Sequence, residues 1–200
     1  GKVAVAGATA VSNLMIDIRQ KLTELANSSI SASQRTIIQR DFTELVSQAA
    51  NFVSNATYNG FALLTSGAAT VNTLANLAGG QLSLTAQGNV KLFINSLAGA
   101  TTTTAANAQS VIVGQFNDLE TSVAQALGTL GAEVRALDLQ TGFLEELRDT
   151  TSVGLGNIVD ADLARESAKL TSQQIQQELS VQTLSIANTR PNTILSLFRG

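Results

Sequence analysis

The stretch from residue 158 to residue 186 most constrains the fold, because it has the pattern of one long helix whose apolar residues do not keep to one side. One apolar stripe consists of Ala161, Ala164, Ala168, Ile175, Leu179 and Ile186. A second stripe consists of Leu163, Leu170, Val181 and Leu184. Since a helix that packs on a single core needs only one stripe, the second raises the question of what else this helix contacts.

The composition indicates thin cores and a surface that other molecules cover. Aromatic residues make up 4% of the 200 residues and tryptophan is absent, so a core must be built from Leu, Ile, Val and Ala. Long helices packed side by side suit that supply. Charged residues make up 14% of the chain, against roughly 25% in a typical domain. A surface so poor in charge is poorly defended against self-association.

Two helical patterns occupy the first third of the chain. The first covers residues 3–26, with the stripe Val11, Leu14, Ile18, Leu22 and Leu25. The second begins at a capping box formed by Ser31 and Gln34. Its stripe is Ile38, Phe42, Leu45, Ala49, Phe52 and Ala56. A turn signal at residues 58–60 (Tyr-Asn-Gly) closes it. We expect two antiparallel helices joined by a short loop.

A third helical pattern covers residues 106–148, and its spacing favours coiled-coil-like packing. Its stripe is Ile112, Phe116, Leu119, Val123, Ala126, Leu130, Val134, Leu137 and Leu144. Residues 150–157 are predicted to break the pattern, with a hinge at 154–157, and Pro191 is predicted to kink or end the last helix. The apolar tail formed by Ile194, Leu195, Leu197 and Phe198 has no core of its own and needs a partner.

Between the second and third patterns the chain changes character. Residues 82–94 alternate in polarity around a Gln-Gly-Asn sequence at 87–89, which predicts a β-hairpin. The four threonines at 101–104 predict an exposed tip.

The chain offers few groups for chemistry. Histidine and cysteine are absent, which removes the commonest metal ligands, bases and thiol nucleophiles. Asp162 and Glu166 share a helix face that suits a weak cation site, but we favour a helix-start role for them. Residues 154–157 lack the Gly-Lys-Ser/Thr ending of a phosphate loop. We predict no catalytic site, no cofactor, no nucleic-acid partner and no membrane insertion, since neither a basic cluster nor a membrane-length apolar run is present.

Four segments resemble bacterial flagellins. IVDADLARESAKL (158–170) and SIANTRPNTILSLFR (185–199) resemble the family's carboxyl-terminal signature, and LGAEVRAL (130–137) resembles the segment upstream of it. Residues 25–64 resemble the amino-terminal region that ends in Phe/Tyr-Asn-Gly. The carboxyl-terminal half is similar to alphaproteobacterial members.

The resemblance implies a mainly α fold, an elongated bundle of long coiled-coil-like helices with a small β-hairpin region and a carboxyl-terminal helix. It implies a core rod domain in residues 1–65 and 106–150, a small variable β and loop region in 66–105, and a terminal filament-core helix in 151–200. The amino-terminal arm of the family is expected to be missing, because Gly1 aligns midway through the first core helix.

The implied function is that of a structural subunit of the flagellar filament, which self-assembles into a helical tube for motility. The implied partners are other flagellin subunits, an export chaperone, and hook-associated and cap proteins. The implied location is the extracellular flagellum, reached by type III export without a cleavable signal peptide. The alternatives are a hook–filament junction protein of the same fold and a flagellin-like surface receptor for polysaccharide.

The resemblance also implies two sets of site residues. We expect subunit or chaperone contacts at Ala161, Ala168, Ile175, Leu179, Ile186, Ile194, Leu195, Leu197 and Phe198. The positions where recognised flagellins contact an innate immune receptor align with Asp17, Arg19, Lys21 and Asp41. Only the arginine is kept, so we expect weak recognition.

Overall fold

The computed structural model describes the backbone of residues 1–76 and 79–197, and the side chains of 1–76 and 79–188. The chain divides into two compact units, Gly1–Gly142 and Phe143–Gly200. The elements in chain order are α1 (Lys2–Leu25), α2 (Ala32–Asn55), β1 (Val71–Leu74), β2 (Gln81–Leu84), α3 (Asn89–Ala98), α4 (Ala105–Val111), a π-helical turn (Ile112–Phe116) and α5 (Asn117–Leu197). The expected mainly α class with a small hairpin is confirmed.

The connection between α1 and α2 is fixed by two sets of hydrogen bonds, and the first was predictable. Gln34 N–H donates to Ser31 Oγ at 3.2 Å, and Ser31 N–H donates to Gln34 Oε1 at 2.9 Å, which confirms the capping box. Arg35 donates from Nη1 to the carbonyl of Leu25 at 2.6 Å and from Nη2 to the carbonyl of Asn27 at 3.0 Å. The first bond satisfies a carbonyl that the end of α1 leaves without a helical partner, and the second fixes the loop at Asn27.

Helix α2 presents a slightly different face from the predicted one. Val46 and Val53 are buried, at 1% and 0% exposure, whereas Phe52 is 44% exposed. The buried set steps by three and four residues from Phe42 to Ala56, so Phe52 lies to one side of the stripe. The prediction for Phe52 was therefore wrong, because two parallel stripes fit the same spacing rule.

The β-hairpin lies upstream of its predicted place. Strands β1 and β2 pair antiparallel with Val71 opposite Leu84 and Leu74 opposite Gln81. The prediction of a hairpin over residues 82–94 was wrong, because its second half forms α3. Helix α3 buries Val90, Ile94 and Leu97, and their spacing of four and three is the helical period rather than the strand period.

The threonine segment at 101–104 is not a wholly exposed tip. Thr102 is 6% exposed and its hydroxyl accepts a hydrogen bond from Gln39 Nε2 at 3.4 Å. The side chain of Thr104 caps α4 by accepting from Asn107 N–H at 3.2 Å. The prediction was wrong for Thr102, because a hydroxyl that finds a partner can be buried at small cost.

The π-helical turn changes which residues of the third helical pattern are buried. The buried apolar residues on this part of the chain are Ala108, Val111, Phe116, Leu119, Val123, Ala126 and Leu130. The step from Val111 to Phe116 is five residues, which an α-helix cannot place on one face but a π-helical turn can. Val113, in the middle of the turn, is 77% exposed.

Helix α5 passes through both predicted interruptions. Residues 150–157 are helical, so neither a break nor a hinge occurs there, and the helix does not end at Pro191. A glycine inside a helix costs about 1 kcal/mol relative to alanine. That cost is small enough for a long helix to absorb at Gly154 and Gly156.

Candidate assembly surface

In the second unit, residues 143–197 are helical, and the described side chains, residues 143–188, are all exposed. They include fourteen large apolar residues. Examples are Ile158 at 67% exposure, Leu170 at 53% and Leu179 at 57%. Because soluble proteins rarely leave so many large apolar side chains in water along one element, this surface is a candidate interface.

Between Ala161 and Ile186, the two apolar stripes lie on opposite sides of α5. At 3.6 residues per turn, the stripe of Ala161, Ala164, Ala168, Ile175, Leu179 and Ile186 forms one side, called face A here. The stripe of Leu163, Leu170, Val181 and Leu184 is turned by about 180° and forms face B. From Ala161 to Ile186 the helix rises roughly 37 Å, at 1.5 Å per residue. The helix therefore offers two separate surfaces along the same length.

Face A begins with small residues and continues with large ones. Alanine occupies positions 161, 164 and 168, where a partner helix can approach closely, and Ile175 and Leu179 follow at 52% and 57% exposure. The backbone of residues 194, 195 and 197 belongs to α5, but the side chains of Ile194, Leu195 and Leu197 lie outside the described ones. Phe198 lies outside the described residues altogether.

Charges contribute little to this surface. Glu178 is the only charged residue between Leu170 and Ile186. Upstream, Lys169 Nζ lies 3.9 Å from Glu166 Oε2, with both side chains more than 60% exposed. Exposed pairs of this kind are worth about 0–1 kcal/mol. The polar surroundings of faces A and B are thus mainly Gln, Ser and Thr, which desolvate at lower cost than charges.

Asp162 and Glu166, which were predicted to lie at the start of a helix, do not lie at a helix start. Asp162 and Glu166 lie inside α5, far from its first residue, because the predicted break at 150–157 is absent. Glu166 instead pairs with Lys169 within the helix. In the described part of the chain, no group of three or more potential metal ligands is close enough to hold an ion. In that same part, no helix has both the length and the apolar character needed to span a membrane.

The four positions that align with receptor contacts in the sequence have two different environments in the first unit. Arg19, on α1, pairs with Glu120 of α5 and lies 5.0 Å from the centroid of the Phe116 ring in the π-helical turn. This cation–π contact holds the guanidinium between two elements. Sequence reasoning missed both partners, because they lie a hundred residues further along the chain.

Lys21 and Asp41 face each other between α1 and α2. Lys21 Nζ lies 3.2 Å from Glu24 Oε2 and 3.6 Å from Asp41 Oδ2. The hydrogen bond to Glu24, with the charges of Glu24 and Asp41, raises the pKa of Lys21 above its usual value, against a smaller opposing effect of desolvation. Asp17 is exposed and lines the same shallow depression. The structure therefore brings Asp17, Lys21 and Asp41 together on one polar surface.

Comparison with known proteins agrees with these features. Residues 113–198 match the model of the bacterial flagellin C-terminal helical region. Flagellin FljM of Caulobacter vibrioides is 34% identical over 197 residues, covering 98% of this chain and 72% of that protein. Flagellin of Brucella melitensis is 33% identical over 195 residues, covering 92% and 68%. The crystal structure of Bacillus cereus flagellin has the same fold, with a TM-score of 0.61 at 18% identity, over 68% of this chain and 79% of that one. The chain belongs to the bacterial flagellin family.

Proposed function

We propose that this chain, as a structural subunit of the bacterial flagellar filament, assembles by packing faces A and B of α5 against neighbouring subunits. The observation that carries the proposal is the complete exposure of the described side chains from residue 143 to residue 188, large apolar ones included. The hook–filament junction and polysaccharide-receptor alternatives are not favoured by the comparisons. The flagellin family is structural, and we propose that this chain has no catalytic activity and binds no cofactor.

The size of the apolar surface supports the use of both faces. Faces A and B together carry seven large apolar residues, each about half exposed or more. Burying a fully exposed Leu or Ile contributes about 1.5–3 kcal/mol, so half-exposed side chains contribute roughly 1 kcal/mol each. The sum of about 7 kcal/mol is comparable to the 4–15 kcal/mol cost of immobilising a subunit. One face alone would supply about half of it.

Two opposite faces also suit the geometry of a filament. When one face of a helix packs against the opposite face of a neighbouring copy, the contact is heterologous, because each subunit offers one surface and receives another. Such contacts continue indefinitely when the rotation between subunits does not close a ring. An open helical polymer is the expected product.

We also propose the finer partners that the resemblance implies. Before assembly, the apolar end of α5, including Ile194, Leu195, Leu197 and Phe198, is the segment that an export chaperone covers, because an exposed apolar tail favours aggregation. Hook-associated and cap proteins bind the same subunits at the two ends of the filament. The subunit reaches the extracellular flagellum through type III export without a cleavable signal peptide.

We propose that different segments of the chain have different structural roles. Residues 1–65 and 106–150 form the core rod domain, residues 66–105 the small variable region, and residues 151–200 the terminal filament-core helix. The packing of α1 against α2 in the first unit supports the first of these assignments.

We further propose that the surface formed by Asp17, Lys21 and Asp41 is poorly recognised by the innate immune receptor that senses many flagellins. The charged side chains of Lys21 and Asp41 satisfy each other within the chain, so a receptor must break that pair to bind there. Arg19, the one retained residue, is already engaged by Glu120.

Copolymerisation with filament seeds of a full-length flagellin tests the assembly proposal. Leu179→Glu places a charge on face A and should abolish incorporation, measured by sedimentation and electron microscopy. Gln176→Glu is the matched control, because it adds the same charge between the two faces and should incorporate normally. Equal incorporation of the two variants would refute the role of face A, and Leu170→Glu tests face B in the same way.

A further inference from the structure

The turn that follows α2 exposes an asparagine–glycine pair in a two-residue loop. Tyr58 N–H donates to the carbonyl of Phe61 at 2.9 Å, and Phe61 N–H donates to the carbonyl of Tyr58 at 2.9 Å. The residues between them, Asn59 and Gly60, have φ angles of 52° and 80°. Positive φ at both central residues identifies a type I′ turn, for which Asn-Gly is the preferred pair.

The backbone nitrogen of Gly60 is open to reaction. Among the hydrogen bonds of the described residues, none uses the N–H of Gly60 as a donor. A Cβ built on Gly60 would meet nothing within 4 Å, and both loop residues are exposed. Solvent can therefore reach the amide nitrogen and the neighbouring side chain of Asn59.

Asn55 and Asn89 differ on this point. Asn27 differs in another way, because the residue that follows it is Ser28, which has a side chain that Gly60 lacks. The amide that follows Asn55 donates to the carbonyl of Phe52 at 3.0 Å, and the amide that follows Asn89 donates to the carbonyl of Gln87 at 3.2 Å. Asparagines inside the helices are followed by amides that donate to the helical carbonyl four residues earlier. An amide nitrogen is a poor nucleophile when its N–H is hydrogen-bonded, and the side chain of its own residue hinders ring closure further. Gly60 has neither restriction.

We propose that Asn59 is the principal site of spontaneous deamidation in the folded chain. The deprotonated nitrogen of Gly60 forms a bond to Cγ of Asn59, the Cγ–Nδ2 bond breaks, and Nδ2 departs with the added proton as ammonia. Water then opens the cyclic imide. Opening at Cγ yields aspartate, and opening at the backbone carbonyl carbon yields isoaspartate. Solvent is the only co-reactant, and no oxidant or reductant takes part.

Isoaspartate at position 59 changes the turn between α2 and the hairpin of the first unit. Isoaspartate adds one carbon to the backbone of a loop whose ends are fixed by the pairing of Tyr58 with Phe61, so that pairing cannot persist unchanged. The same two aromatic residues line a small apolar cavity of about 110 Å³ with Leu63 and Leu84. A new carboxylate beside that cavity adds a desolvation cost. Ageing of the subunit should therefore loosen the connection between α2 and the hairpin.

Peptide mapping by mass spectrometry tests the proposal on the intact folded chain, incubated in mildly alkaline buffer at physiological temperature. The peptide that contains Asn59 should gain one mass unit before every other peptide. It should also become a methyl acceptor for a protein-isoaspartate methyltransferase. The Gly60→Ala variant should react about tenfold more slowly, which corresponds to a barrier higher by ~1.4 kcal/mol.

Two controls keep the test decisive. Asn59→Gln should remove the early mass gain, whereas Asn55→Gln should leave it unchanged, and far-UV circular dichroism verifies that each variant folds. If Gly60→Ala fails to fold because its φ is positive, the comparison of these two variants still decides. The proposal is overturned if another asparagine reacts first in the folded chain, or if Asn59 reacts only after the chain is denatured.

Discussion

Substituting Gly7 with alanine should weaken the packing of α1 against α2. A Cβ at Gly7 would lie 2.5 Å from Cβ of Ala56 and 3.2 Å from Cδ1 of Leu64. The Cβ of Ala56 is fixed to its backbone and cannot rotate away. The backbone of α1 must therefore move away from the backbone at the end of α2. Overpacking of this kind costs about 1–3 kcal/mol. Alanine regains about 1 kcal/mol of helix propensity, which leaves a net loss of up to about 2 kcal/mol.

Gly128→Ala is the matched control, because it makes the same substitution in a helix where the added Cβ meets nothing within 4 Å. It should raise the free energy of unfolding by up to about 1 kcal/mol. Urea unfolding followed by circular dichroism measures both variants, and hydrogen exchange of α1 amides assigns the change to the first unit. Equal effects of the same sign in the two variants would show that close approach at Gly7 does not limit packing.

Three further outcomes follow from single contacts. Ser31→Ala should destabilise the first unit by about 1 kcal/mol in urea unfolding, because it removes the cap of α2; an unchanged midpoint would contradict this. Glu133→Ala should speed hydrogen exchange at Thr85, whose N–H donates to the Glu133 carboxylate at 2.8 Å; unaltered protection would show that this bond does not hold the hairpin base. Asp17→Arg combined with Lys21→Leu should increase signalling in an innate-receptor reporter assay, since one regained anchor is worth about 2 kcal/mol, or roughly thirtyfold. Strong signalling by the unmodified chain would refute the account.

Local signals made α1, α2 and their connection predictable. The Ser31–Gln34 capping box involves residues three positions apart, so the sequence alone contains the whole motif. The stripe of α1 is likewise set by spacing within one helix. The second contact at this corner, from Arg35 to the carbonyls of Leu25 and Asn27, was not predicted, because a long flexible side chain carries no positional pattern.

The hairpin and the π-helical turn could not be predicted from local signals of this kind. Strand β1 is four residues long and gains its identity from pairing with β2, an interaction that spacing within either strand does not reveal. The residues of α3 could have been recognised from Val90, Ile94 and Leu97, but a nearby Gln-Gly-Asn sequence favoured a turn. The sequence contains the step of five from Val111 to Phe116. Because Ile112 and Phe116 are four residues apart, however, the same segment also fits a regular α-helix.

The two faces of α5 were predictable because the angular position of a residue on a helix follows from its number alone. The supposed hinge at 150–157 was not a reliable signal, since glycines lower helix propensity without forbidding the helix. What the spacing leaves open is which partner covers each face, and that depends on residues of another molecule.

Cysteine accessibility tests most directly whether faces A and B are covered in the filament. The chain has no cysteine, so Leu179→Cys, Leu170→Cys and Gln176→Cys each introduce a single thiol, on face A, on face B and between them. In the free chain, all three thiols should react with a maleimide at similar rates. After copolymerisation with flagellin seeds, the account predicts strong protection at positions 170 and 179 and less at 176. Unprotected thiols at 170 and 179 in intact filaments would contradict it.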